Sequence, residues 1–290
     1  MATFPIVLVH GIARFDILAV IIRDKLNLPA NGPGEQFEYF KGISSHLEAN
    51  GFTVSAPNLA FAGSIDLCAE ELKNHVNQVL QNTGSQKVHI IAHSMGGLDA
   101  RHMIVDKGMA DRVATLTTIG TPHHGTPVAD RIAQPGGALL VQALDRVVDV
   151  DGFADLTTAA CAQFNRRAED AEAKNGVAYQ TYAAWENLPD VFAPLVIPWL
   201  IIREQEGRND GLVSARSQQW SGELIANDGT RKSIVQQEFP FPADHLNEIG
   251  WWDPEEVINP FFSGVSIVKQ ALNYEQRVRD LYLQIAQGLT

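Results

Sequence analysis

Lys87-Val88-His89-Ile90-Ile91-Ala92-His93-Ser94-Met95-Gly96-Gly97-Leu98 is an apolar run that breaks into a serine followed by two glycines. It reads as a buried strand, a sharp turn carrying Ser94, and the start of a helix. A serine hydroxyl is a weak nucleophile unless it stands beside a general base and a cage of hydrogen-bond donors. A strand-to-helix elbow presents it that way but strains its dihedrals, and only small residues two before and two after accommodate the bend. Here these are Ala92 and Gly96, the alanine being one methyl larger than the usual glycine. The competing reading is an ordinary N-cap serine on a βα turn. The rest of the chain decides between them.

Working outward, strands and helices alternate. Residues 4–9 form an apolar run that ends at His10-Gly11-Ile12, a central strand followed by a tight loop able to offer backbone donors. Residues 15–28 have near-helical spacing and end in the turn cluster 29–34; residues 42–49 read as a helix and 52–56 as a second strand. Residues 64–80 carry an amphipathic helical pattern, and residues 113–119 are a β-branched strand. Such alternation predicts a mostly parallel sheet wrapped by helices, with reactive residues at the C-terminal ends of the strands. His10, Ser94 and residues 121–125 all fall there.

From residue 126 to about 185 the alternation stops. An apolar run at 138–150 and an Ala- and charge-rich segment at 157–174 predict a helical insertion over the strand ends, either a lid or packing helices with no gating role. Residues 195–202 are expected to resume as a strand, Asp228-Gly229 marks a hairpin turn, and residues 265–289 form a long amphipathic helix. No linker divides residues 1–290 into separate domains.

Composition narrows the partners. The net charge is −12, from 22 Lys plus Arg against 34 Asp plus Glu, which disfavours nucleic acid and anionic membranes. No apolar stretch approaches the roughly 20 residues a membrane span needs. No leader pattern precedes residue 4, so the expectation is a protein that stays inside the cell, leaves without a cleaved leader, or has its sequence written without one. Cys68 and Cys161 are expected as two buried thiols, with a single disulfide between them as the alternative.

If Ser94 is a nucleophile, it needs a base and an acid to orient that base. On this topology they follow the serine in the order acid, then histidine. Of nine histidines only His245 lies after His124. The acid is expected just beyond residues 195–202, where Asp210, between Asn209 and Gly211, is preferred over Glu204 and Glu206 because its neighbours make a defined bend. Two backbone donors are needed for the oxyanion, and Met95 and Ile12 are the candidates, with His10 and Gly11 shaping the loop that carries Ile12. His123 and His124 either line the cleft or are ordinary loop residues.

Val9-His10-Gly11, Ala92-His93-Ser94-Met95-Gly96-Gly97, Thr118-Ile119-Gly120-Thr121-Pro122-His123, Asn209-Asp210-Gly211-Leu212-Val213 and Asp244-His245 together resemble the bacterial true lipases of the α/β-hydrolase superfamily. The resemblance implies the α/β-hydrolase fold and hydrolysis of carboxylic esters, triacylglycerols included. It assigns Ser94 as nucleophile, His245 as base, Asp210 as its orienter, Ile12 and Met95 as oxyanion donors, and a mobile helical lid. The apolar run at 138–150 adds an expectation of activation at an oil–water interface. Many members hold a structural calcium through an aspartate two residues after the histidine. Asn247 stands there, so an uncharged ligand would bind more weakly; with Asp190 a weakly placed second candidate, no metal or cofactor is expected to be required. Acyl transfer or thioester hydrolysis on the same residues, and a catalytically silent lipid-binding module, are the alternatives.

Overall fold

The computed structural model describes residues 4–12, 39–60, 63–144, 151–251 and 264–289. The segments expected as a helix at 15–28 and a turn at 29–34, and the end of the apolar run at 145–150, lie outside them.

The central strands form where apolar runs leave no polar face. β1 (Ile6–Val9) and β3 (Val88–His93) are buried along their whole length, and β4 (Val113–Ile119) nearly so, as expected of strands covered by helices on both faces. β3 pairs with β1 on one side and β4 on the other. β2 (Val54–Ser55) lies outside β1; β5 (Ala178–Ala183) and β8 (Val235–Glu238) extend the other edge. The order is β2-β1-β3-β4-β5-β8, and every pairing is parallel. Register places Val9 beside Ala92 and His93 beside Ile119. Consequently the turns after β1, β3 and β4, at Gly11, Ser94 and Gly120, open at one edge.

The expected helices are α1 (Ile43–Ala49), α2 (Ile65–Thr83), α3 (Gly96–Asp106) and α9 (Gly264–Gly288); between α3 and α9 come α4 (Pro127–Ile132), α5 (Ala138–Leu144), α6 (Thr158–Lys174), α7 (Val196–Gln205) and the single turn α8 (Ala215–Gln218). α2 starts where the Ser64 hydroxyl accepts the Leu67 N–H, and stops at Gly84, whose φ of 69° is open to glycine at little cost. Its buried residues, Ile65, Cys68, Ala69, Leu72, Val76, Val79 and Leu80, recur at three and four and so form one stripe. Asp228-Gly229 does turn a hairpin, joining β6 (Glu223–Ile225) to β7 (Arg231–Ser233) as a separate antiparallel pair. Among the described residues no helix is long and apolar enough to cross a membrane.

Two expectations fail. Residues 195–202 do not make a strand: α7 covers 196–205, with Leu195, Pro198 and Ile202 buried and Ile197 and Leu200 exposed. A short apolar run fits either period, and a proline in the first helical turn lacks only an N–H that has no intrahelical partner there. The helical stretch also ends before 185, because β5 at 178–183 is a sheet strand with alternating burial.

A fully buried cation joins the helical layers. Arg101 of α3 donates to both carboxylate oxygens of Glu172 on α6, from Nε at 2.8 Å and Nη2 at 3.0 Å. Its guanidinium lies 3.8 Å from the Trp220 ring centre. Pairing with good geometry is what makes two buried charges tolerable.

Candidate active site

Ser94 is the one non-glycine residue with positive φ among the described residues, at 56°. Its N–H donates to the Ile119 carbonyl (2.9 Å), and its carbonyl accepts from the Thr121 hydroxyl (2.8 Å), so both sides of the elbow are held by the end of β4. The glycines around it make room. A Cβ at Gly96 would lie 2.4 Å from the His10 carbonyl oxygen, and one at Gly11 would lie 2.5 Å from Ser94 Cβ. Ala92 is buried within β3, and its extra methyl causes no departure from register.

Ser94 Oγ is 2.8 Å from His245 Nε2, and His245 Nδ1 is 2.7 Å from Asp210 Oδ2. A carboxylate only accepts, so Nδ1 carries the imidazole proton and Nε2 is left to accept from the serine. Asp210 is fixed by its own turn: Leu212 and Val213 N–H groups donate to Oδ1, both at 2.7 Å, and Gln218 Nε2 donates to Oδ2 at 3.0 Å. Gly211 takes φ 101° to make that bend, and the Asn209 side chain accepts its N–H. The three side chains are buried, so each hydrogen bond acts in a poorly screened environment. The rivals for the acid stand elsewhere. Glu204 is exposed, and Glu206 accepts from the Ser214 hydroxyl.

The loop after β1 closes around His10. Its Nε2 accepts from Leu59 N–H (2.9 Å), which leaves Nδ1 to donate to the Gly11 carbonyl (2.9 Å), and burial lowers its basicity. Gly11 N–H donates to the Tyr39 hydroxyl at 2.8 Å. Met95 begins the run into α3 on the other side of Ser94. Gly152 sits over both: a Cβ there would be 3.4 Å from Ile12 Cγ2 and from Met95 Sδ. His123 does not line a cleft. It is fully buried, with Thr118 Oγ1 2.9 Å from Nε2 and its ring stacked on Trp220 at 4.6 Å.

Sequence reasoning missed three members of this centre. Glu248 lies three residues after His245, on the single turn at Asn247–Ile249, and its Oε2 is 2.9 Å from His93 Nε2 and 4.0 Å from His245 Nδ1. His93 Nδ1 is 2.7 Å from the Tyr39 hydroxyl. The i, i+3 spacing of His245 and Glu248 is the signal that would have found the carboxylate. Burial, then the neighbouring Asp210 charge, holds the Glu248 carboxyl far above the usual range. Two adjacent buried carboxylates do not both ionise readily. Asp210 receives three N–H donors besides His245, whereas the Glu248 carboxyl is met by His93.

His93, His245 and Glu248 form the one group of potential metal ligands within 4.8 Å of one another among the described residues. Their hydrogen bonds to each other and to Asp210 account for that closeness. Of the calcium candidates, Asp190 is exposed, while the Asn247 side-chain oxygen accepts from Asp244 N–H (3.2 Å). Asp244 itself accepts from three backbone N–H groups, of Phe192, Leu246 and Asn247.

A parallel sheet with a strained serine after its third strand, met by a histidine and an aspartate from later loops, defines a class. Residues 5–166 match the alpha/beta hydrolase fold family, and the chain belongs to it. Triacylglycerol lipase 2 of Saccharomyces cerevisiae is 28% identical over 310 residues, covering 95% of this chain and 90% of that protein. A triacylglycerol lipase of Vibrio cholerae is 29% identical, over 85% of this chain and 79% of its own length. One from Pseudarthrobacter phenanthrenivorans reaches 34%, over 64% and 60%. In the fold alone, the mature form of a Bacillus licheniformis lipase superposes with a TM-score of 0.59 at 20% identity, covering 83% of this chain and 84% of that one.

Proposed function

We propose that the protein hydrolyses carboxylic esters of lipids through an acyl-serine on Ser94. The observation that carries this reading is the directed chain Ser94 Oγ, His245 and Asp210, at 2.8 and 2.7 Å, on a serine held at φ 56°. His245 Nε2 takes the hydroxyl proton as Oγ attacks the ester carbonyl carbon. The resulting oxyanion faces the Ile12 and Met95 N–H groups. Collapse breaks the bond to the alcohol oxygen, which leaves with the proton from Nε2; water then repeats the sequence on the acyl-serine and releases the acid. Asp210 stabilises the imidazolium without taking its proton.

The relatives named triacylglycerol lipases support a long-chain lipid ester as substrate. Gly152, over Ile12 and Met95, supports reading α4, α5 and the turn at Asp151–Leu156 as the lid within the 126–185 region. No step calls for a cofactor, and any calcium held near Asp190 and Asn247 would be structural.

The test is labelling with a serine-reactive fluorophosphonate together with a chain-length series of p-nitrophenyl esters, with and without chelator. Labelling of the protein, its loss in Ser94→Ala, and loss of hydrolysis in that folded variant are expected. Full activity of Ser94→Ala would overturn the reading.

A further inference from the structure

Four groups, Tyr39 half-buried and the other three buried, connect the loop after β1 to the acid end of the site. Gly11 N–H donates to Tyr39 Oη at 2.8 Å, Tyr39 Oη is 2.7 Å from His93 Nδ1, and His93 Nε2 is 2.9 Å from Glu248 Oε2. Glu248 in turn lies against His245 and Asp210, and the His93 and His245 rings are 4.6 Å apart. We propose that Tyr39, His93 and Glu248 are positioning residues: a one-directional hydrogen-bond relay that locks the oxyanion loop, through Gly11, to the carboxylate that orients His245.

The direction follows from counting protons. Gly11 N–H only donates, so Tyr39 Oη accepts there and sends its single proton to His93 Nδ1. Burial keeps His93 neutral, so the remaining ring proton sits on Nε2 and points at Glu248 Oε2. Burial and the adjacent Asp210, with which it hydrogen-bonds, keep the proton on the Glu248 carboxyl, so that proton points at Asp210. Every donor then meets an acceptor from Gly11 to Asp210. A buried N–H that loses its acceptor is destabilised, which releases Gly11 and moves the Ile12 donor beside it. The fold keeps space for this relay at a specific cost. Gly120, at φ 61°, is tolerated where a Cβ would lie 2.0 Å from Glu248 Oε2.

The relay rests on the ester-hydrolysis reading for its consequence, but not for its test. Tyr39→Phe removes the acceptor of Gly11, Glu248→Met breaks the far end, and Glu248→Gln keeps both an acceptor for His93 and a donor for Asp210. Amide hydrogen exchange over residues 10–12, read without substrate, is expected to quicken roughly tenfold or more in Tyr39→Phe and Glu248→Met and to return towards wild type in Glu248→Gln. If Glu248→Met does not fold, His93→Asn, in the middle of the relay, is measured in its place. On a soluble ester, kcat is expected to fall roughly 10- to 100-fold with KM held, and the double variant Tyr39→Phe/Glu248→Met should lose far less than the product of the two single losses. Unchanged exchange at residues 10–12 in Tyr39→Phe, or Glu248→Gln as damaging as Glu248→Met, would overturn the relay. A wild-type protein that cleaves no ester, yet shows the exchange pattern, would count against the proposed function alone.

Discussion

Gly120 and Glu248 fit one another as gap and filler: the place where residue 120 would carry a Cβ is 2.0 Å from a carboxylate oxygen of residue 248. Gly120→Ala therefore meets both a collision and a φ of 61°, a left-handed conformation that alone costs on the order of 1 kcal/mol or more for alanine. A loss of about 3 kcal/mol in chemical denaturation is expected. Adding Glu248→Gly should recover part of it, because the collision term vanishes while the φ term stays. Simple addition of the two losses would refute the fit.

The turn at Asp210 supplies two backbone donors to its carboxyl. Asp210→Asn keeps the volume but presents an amide to His245, which favours the wrong imidazole tautomer. A fall in kcat on the order of 10³- to 10⁴-fold, with KM little altered, is expected in ester-hydrolysis assays. Glu204→Gln, on the exposed face of α7, should leave the rate unchanged.

The Arg101–Glu172 pair makes a stability prediction. Arg101→Met strands a buried carboxylate and should cost about 3–5 kcal/mol, lowering the melting temperature by roughly 10 °C for a chain of this size. Arg101→Met/Glu172→Met removes both charges at similar volume and is expected to regain most of the loss. A double variant no better than the single would show that packing against Trp220, and not charge, dominates.

Acid sensitivity is predicted at His102, whose ring stacks on Phe164 and whose pKa burial lowers to about 4, against an opposing pull from Asp106. The unfolded chain, near 6.5, binds the proton first. This group's contribution is therefore complete above about pH 6.5 and is lost as pH falls towards 4. Urea titrations of His102→Gln across that window should show a slope shallower by up to about 1.4 kcal/mol per pH unit. An unaltered slope would assign the sensitivity to other buried histidines.

Cys68 and Cys161 are free and buried, and burial pushes both thiols up to about 12. Since the thiolate is the reactive form, a thiol reagent should label neither until the protein unfolds. Stoichiometric labelling under native conditions would contradict their placement.

Much of this was legible in the sequence for a physical reason. The elbow's small neighbours, the strand before it, and Asp210 and His245 in order are local patterns, and the structure brings those three side chains together. Residues 195–202 misled because seven apolar residues around Pro198 fit a strand or a helix equally, and only tertiary packing selects α7. β5 hid in a charge-rich neighbourhood because its residues, Ala-Tyr-Gln-Thr-Tyr-Ala, are neither strongly apolar nor long enough for their alternation to stand out. Tyr39 was invisible in principle: nothing in its surroundings announces a hydroxyl that will meet His93, 54 residues away.

Ser94 and His245 hydrogen-bond across 151 residues of chain, and Asp210 stands 35 residues before the histidine. While the polypeptide is being made, the proposed nucleophile thus leaves the ribosome long before the histidine proposed to take its proton. A nascent or truncated product with the whole elbow but lacking residue 245 carries a chemically idle serine. On the proposed mechanism, ester cleavage would accordingly report that β8 has docked and its following loop has closed onto the sheet.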